Sequence, residues 1–350
     1  MYLNSFNYFR AIAIIFIVAS HCFFLSDYVF TSDFGIVINN ITGGGTSFFV
    51  FISGFLFHHV FYKKFDFSIF MKNKVKFVLS PYLIMSFLPV MYYVFLDDNV
   101  WKYFLPKGES TLDLYIVPFL KYYFTGFRIV AYWYIPFAMI IFLMSPIFVS
   151  FIRLNLKFQL LIIFPLLIIS TLIHRPVEDS GYAVVQSAAY FLPIYLIGMI
   201  SSQQKTFIYA NLKGKEIYLL TAGILLATIP LFFGQVGLLR KPPFLFRGFD
   251  LMIIQKIVFC FLFMIWFSRF ENNKNKFINL IAANSFGIFF IHPLLLLVFA
   301  KIKNILDFTF PLNVYFIYII VSIIIFSLSL GITLLIKRVF PVHSRYIVGS

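Results

Sequence analysis

Ten apolar stretches follow one another along this chain, with only short polar joints between them. A helix rises about 1.5 Å per residue, so crossing a hydrocarbon layer of about 30 Å takes roughly twenty mostly apolar residues. Runs of that kind fall at 6–26, 46–62, 76–96, 132–151, 158–174, 182–200, 216–234, 251–268, 279–300 and 313–336. In lipid every backbone N–H and C=O must be paired within the protein, and a helix pairs them locally. The expected fold is therefore all-α, a polytopic membrane protein of about ten transmembrane helices. Of the 350 residues, 61% are hydrophobic and 12% are charged. That charged share is about half the soluble norm, too little to coat a soluble globule.

The formal net charge of +15 could point to nucleic acid, but the basic residues cluster in joints between spans. With both termini in the cytoplasm, loops 63–75, 152–157, 201–215 and 269–278, their flanks and the C-terminal tail carry sixteen Lys and Arg, against ten on the outer side. That asymmetry fits the positive-inside rule and a multi-pass protein of the cell (inner or plasma) membrane, with membrane lipid and not nucleic acid around it. Segment 112–127 is apolar but short, with Pro118 in its middle, and reads as an interfacial or re-entrant helix on the outer side. The first run lacks a basic leader and a small-x-small cleavage site, so it is expected to be retained. Cys22 and Cys260 both lie inside apolar runs, and no disulfide or metal spacing is visible. Residues 1–350 read as one membrane domain with no soluble domain.

Arg10 and Lys256 are the two basic residues placed within spans, where charge is costly and faces a cavity or the bundle interior. Ten residues lie between Arg10 and His21, which are eleven positions apart. Eleven steps of about 100° overshoot three full turns by only about 20°, so both side chains share a helix face about 16 Å apart along the axis. Such a face could hold an anion at the inner surface and present an imidazole deeper in the membrane. A snorkelling Arg and a structurally bonded His fit the same spacing.

Other residues offer chemistry with plainer alternatives. Ser53-Gly54 in the second run suits close helix approach as well as a catalytic hydroxyl. Lys74 and Lys76 open the third run and could attract phosphate or set topology. Trp133 begins the fourth run, where aromatic residues anchor at the interface. His292 sits before Pro293, in a position suited to a structural hydrogen bond. Arg240, Lys241 and Arg247, on the outer side, could meet an anionic lipid carrier or saccharide, or form an ordinary solvated loop.

In this order the segments resemble the acyltransferase-3 family of integral membrane O-acyltransferases. The resemblance runs from Tyr8-Phe9-Arg10-Ala11 to His21, through Phe49-Val50-Phe51-Ile52-Ser53-Gly54-Phe55-Leu56 and the basic stretch before Pro81-Tyr82. It continues at Trp133-Tyr134-Ile135-Pro136 and ends with Ser285 to Leu294. It implies transfer of an acyl group, usually acetyl, from cytoplasmic acyl-CoA to a hydroxyl of an extracytoplasmic or lipid-linked saccharide, as in O-acetylation of bacterial surface polysaccharide. Acetyl-CoA would be the co-substrate, with no metal. His21 would be the essential residue, with Arg10 its motif partner and Arg10, Lys74 and Lys76 meeting the donor. Ser53, Trp133 and His292 would bind substrate or support the site. The chain departs from the family at Lys74 and Lys76, where Arg is common, and at Ala131, where many members carry His.

A saccharide-lipid transporter or polymerase is the rival class. A polymerase is expected to carry a large outer loop rich in Arg, whereas loop 97–131 has only Arg128.

Overall fold

A computed structural model describes residues 3–27, 32–96, 108, 110–126, 129–177, 182–307 and 313–350; Arg128 lies outside them. Among the described residues there are sixteen α-helices: α1 (Asn4–Cys22), α2 (Asp33–Thr42), α3 (Thr46–Leu56), α4 (Phe67–Lys74), α5 (Ser80–Phe95), α6 (Val117–Thr125), α7 (Tyr134–Leu143) and α8 (Ser145–Arg153). After them come α9 (Leu156–Ile173), α10 (Ala183–Gln203), α11 (Lys205–Leu212), α12 (Glu216–Phe232), α13 (Leu251–Phe267), α14 (Lys276–Ile305), α15 (Val314–Val339) and α16 (Ser344–Ile347). Among the described residues there is no strand beyond one isolated bridge between Arg175 and Arg240. Among the described residues eight helices are long and apolar enough to cross a membrane, or up to ten when two bent pairs each count as one span. The fold is thus all-α and multi-pass.

The bends have local causes. The stretch expected as one span over 132–151 is two helices bent by 55°. Pro146 stands in the first turn of α8, where its missing N–H costs nothing, and it cannot continue the ladder of α7. Gly43, Gly44 and Gly45 separate α2 from α3, with Gly44 at φ +74°, a conformation glycine adopts without a Cβ clash. Residues Phe57–Phe61 form a wider π-helical turn at the end of α3, and Val75–Leu79 form another that joins α4 to α5.

Small residues decide how closely the central helices approach. A Cβ on Gly54 of α3 would overlap the Tyr195 carbonyl oxygen of α10, and one on Gly198 of α10 would overlap the Phe51 carbonyl oxygen. The α3–α10 contact is therefore backbone against backbone, as at small-residue crossings in membranes. Around it lies a core rich in Phe, including Phe9, Phe48, Phe51, Phe55, Phe137 and Phe191.

Helix α1 packs against α3, α13, α14 and α15 and is fixed at its start. At its start the Glu271 carboxylate accepts from the Asn4 and Ser5 amides at 3.1 and 3.2 Å, and Asn4 Nδ2 donates to the Glu271 carbonyl at 2.7 Å. An acid there satisfies first-turn amides that have no partner within the helix and complements the helix dipole. One turn on, Asn7 Nδ2 donates to Asn279 Oδ1 of α14 at 2.8 Å.

Lys256, of α13, lies inside the bundle, as expected of a charge within a span. Its ammonium donates to the carbonyls of Asn40 and Ile41 at 2.7 and 2.9 Å, in the last turn of α2.

Candidate active site

Two cavities open along α1. The first meets α1 at Arg10, has a volume of about 530 Å³, and is lined by Arg10, Ser53, Asn73, Lys74, Tyr134, Ser285 and Arg345 among a larger set of apolar residues. Among the described residues that line it, three side chains are cations and none is Asp or Glu. Phe57, Phe61, Phe77 and Val78 of the two π-helical turns also line it; such turns recur at functional sites because they re-aim side chains within a helix. The Lys74 ammonium sits over the rings of Phe142, Phe70 and Phe61, at 4.3, 4.9 and 5.2 Å from their centres. Lys76 does not line the cavity; its ammonium lies over the Tyr346 and Phe77 rings, at 4.9 and 5.3 Å.

The second, smaller cavity, about 110 Å³, is lined by His21, Trp133, Arg175, Ser187 and Arg240, with Gly126 and Ala131 at its wall. Trp133 faces this pocket while the next residue, Tyr134, lines the first cavity. The N-terminus of α7 thus stands between the two.

His21 has a partner. Its Nδ1 is 3.1 Å from Nε2 of His292 on α14, and His292 Nδ1 is 3.0 Å from the Ile288 carbonyl oxygen. A carbonyl only accepts, so His292 Nδ1 carries the proton of that bond. In a neutral ring this leaves His292 Nε2 as an acceptor, and His21 Nδ1 must donate to it. The tautomer of His21 is thereby fixed: its Nε2 carries the lone pair. Carbonyl, His292 and His21 form an orienting chain of the kind that fixes a general base. His292 is fully buried. Its helix is held locally by Tyr132, whose hydroxyl donates to the Phe290 carbonyl at 2.7 Å.

The pocket wall is built by irregular backbone. Gly126, at φ +68°, packs against the backbone of Tyr132 and Trp133 with no room for a Cβ. Ala131 has φ +72°, an uncommon conformation for a residue with a side chain and one that persists only where the surroundings impose it. The Lys241 amide donates to the Arg175 carbonyl at 3.0 Å, tying the two arginine-bearing loop segments together. Gln186 Nε2 donates to the carbonyls of Ile173, His174 and Lys241 at 3.0, 3.3 and 3.0 Å. The Arg175 guanidinium carbon lies 5.4 Å from the centre of a Trp133 ring. Lys241 is buried and directs its ammonium toward the Pro242 and Pro243 carbonyls, whereas Arg240 reaches the pocket.

Of the residues singled out in the sequence, Arg10, Ser53 and Lys74 therefore meet around one cavity. His21 and Trp133 meet around the other, with His292 behind His21. Sequence reasoning did not single out Arg175 as a site residue, or Arg345; neither belongs to a recognisable motif. Among the described residues no three His, Cys, Asp or Glu side chains gather as a metal site would require.

Neither the curated proteins nor the solved structures contain a match to the chain. The acyltransferase-3 family model, described as an acyltransferase domain, matches residues 3–336. With nearly its whole length matched by that family, the chain belongs to the acyltransferase-3 family and is a multi-pass membrane acyltransferase.

Proposed function

We propose that the chain moves an acyl group, acetyl in the simplest case, from acyl-CoA to a hydroxyl of an extracytoplasmic or lipid-linked saccharide in the bacterial cell membrane. The basic cavity takes the donor from the cytoplasmic side, and the His21 pocket takes the acceptor from the other. Arg10 and Lys74 supply positive charge for the donor phosphates. The acyl-pantetheine arm passes between the helices toward His21. In the other pocket, Trp133 offers the flat apolar face that a sugar ring stacks on. Arg175 and Arg240 favour an acceptor bearing a carboxylate or phosphate.

The observation that carries this reading is the hydrogen-bond chain from Ile288 through His292 to His21. It leaves His21 Nε2 as the basic atom on a ring that lines the acceptor pocket. The acceptor hydroxyl gives its proton to Nε2 as its oxygen attacks the thioester carbonyl. The C–O bond forms, the C–S bond breaks, and the proton passes from the imidazolium to the departing CoA thiolate. His292 Nε2 accepts from His21 throughout and stabilises the imidazolium. Proton transfer of this kind contributes on the order of 10²- to 10⁴-fold in rate.

The test is transfer of radiolabelled acetyl from acetyl-CoA to membrane glycolipid by purified protein in lipid nanodiscs. Wild-type protein is expected to label the glycolipid and folded His21→Ala protein is not. Full labelling by His21→Ala would remove the general base from the reaction. Glycolipid flux without labelling would favour a transporter.

A further inference from the structure

The segment after α15 turns back onto the bundle and docks beside the basic cavity. Ser80 Oγ donates to the Tyr346 carbonyl at 3.4 Å, and the Gly287 amide donates to Ser350 Oγ at 2.7 Å. Val348 is fully buried. Gly349, at φ +73°, lies so close to the Phe286 ring that no Cβ would fit. The Lys76 ammonium over the Tyr346 ring adds a cation–π contact to the same segment.

The docking fixes Arg345. Its guanidinium carbon lies 3.9 Å above the centre of the Phe77 ring, and the residue lines the basic cavity together with Arg10 and Lys74. The Phe77 ring supports the cation from one side, and a guanidinium carries its N–H donors in its own plane, a fork that grips phosphate bidentately. Cations gathered around one cavity attract an entering polyanion. The nucleotide end of coenzyme A is such a polyanion, carrying a pyrophosphate and a ribose phosphate. Residues 344–350 lie beyond the stretch matched by the family, so membership does not assign this contact.

We propose that Arg345, presented by the docked 344–350 segment, binds a phosphate of the nucleotide end of acyl-CoA. The inference rests on the basic cavity being the donor site. It makes Arg345 a donor-binding residue supplied by a segment outside the helical bundle, and it makes preference for CoA over a bare pantetheine thioester depend on that segment.

The experiment measures binding of radiolabelled CoA to the full-length protein in nanodiscs, with acetyl transfer from acetyl-CoA and from S-acetylpantetheine measured alongside. Arg345→Ala is expected to raise the CoA Kd about tenfold, the scale of one lost charge-assisted contact. It should lower the ratio of kcat/KM for acetyl-CoA to that for S-acetylpantetheine by a similar factor. Arg345→Lys, which keeps the charge without the planar fork, should fall between, and it replaces the alanine variant if that variant melts early. An unchanged CoA Kd overturns the proposal, as does an equal loss with both donors, which would mark a structural role. Arg345-independent CoA binding with acetyl transfer intact defeats this inference alone. Arg345-dependent CoA binding without acetyl transfer defeats only the acyl-transfer reading.

Discussion

The rings of His21 and His292 lie nearly parallel, 6° apart in plane with centres 5.4 Å apart, and are joined from Nδ1 to Nε2 at 3.1 Å. One ring is on α1 and the other on α14, and 271 residues separate them in the chain. In the proposed reaction His292 acts through His21 as a positioning residue. His292→Ala should therefore lower kcat about 100-fold, at the low end of a general base's contribution, with little change in acceptor KM. His292→Gln, whose amide oxygen can still accept from His21 Nδ1, should recover part of the loss. The double variant His21→Ala, His292→Ala should be no slower than His21→Ala alone, because residues acting as one unit are not additive. Additive losses in steady-state acetyl transfer would separate the two histidines.

Trp133 is the flat surface of the His21 pocket, the proposed acceptor site, and the Arg175 guanidinium carbon lies 5.4 Å from its ring centre. Trp133→Ala should raise the acceptor KM about tenfold by removing both the sugar face and the cation–π support, while Trp133→Phe should keep most of the affinity. Donor KM, measured in the same assay, should stay within about twofold, less than the 1.4 kcal/mol that a tenfold change represents. An acceptor KM unmoved by the alanine variant would take Trp133 out of the acceptor site.

How much of this was legible in the sequence depends on the range of each interaction. Hydrophobic run length and loop charge are local, so the helical membrane fold could be read directly. The shared face of Arg10 and His21 is a property of a single helix. The structure divides that face between two cavities because the N-terminus of α7 stands between them. The bond from His21 to His292 depends on α1 packing against α14, which no local pattern encodes. Arg345 stands in a short basic stretch that looks like any cytoplasmic tail until Phe77 and Ser80 are seen to hold it. The break after α7 had a local sign in Pro146, which is well placed at a helix start and poorly placed in a helix middle. Lys256 could be assigned to the bundle interior from its charge, but its acceptors, two carbonyls of α2, are 215 and 216 residues away.

The α3–α10 crossing sets the position of Ser53 in the basic cavity. Gly54→Ala forces a methyl group onto the Tyr195 carbonyl oxygen, and a backbone atom cannot swing aside as a side chain can. Overpacking of this kind costs about 1–3 kcal/mol. The variant should melt earlier than wild type in detergent when followed by intrinsic fluorescence, and Gly198→Ala should do the same through the Phe51 carbonyl. An unchanged melting temperature for both would mean that the helices cross with more space than the structure gives them.

Lys256 tests whether a buried charge stabilises this bundle through its carbonyl partners. The ammonium closes the end of α2 by donating to Asn40 and Ile41, and Lys256 is buried there. Lys256→Met keeps the length and apolar stem of the side chain but leaves those carbonyls without that donor, at a cost of about 1–3 kcal/mol. Removing a buried ammonium also removes its desolvation cost, which opposes that loss. The carbonyl term is expected to win because the methionine sulfur cannot donate and α2 ends at a glycine turn with no other cation offered by α13. A lower melting temperature for Lys256→Met, with CoA Kd unchanged, is the expected result. A more stable variant would show that desolvation of the ammonium outweighs its two hydrogen bonds.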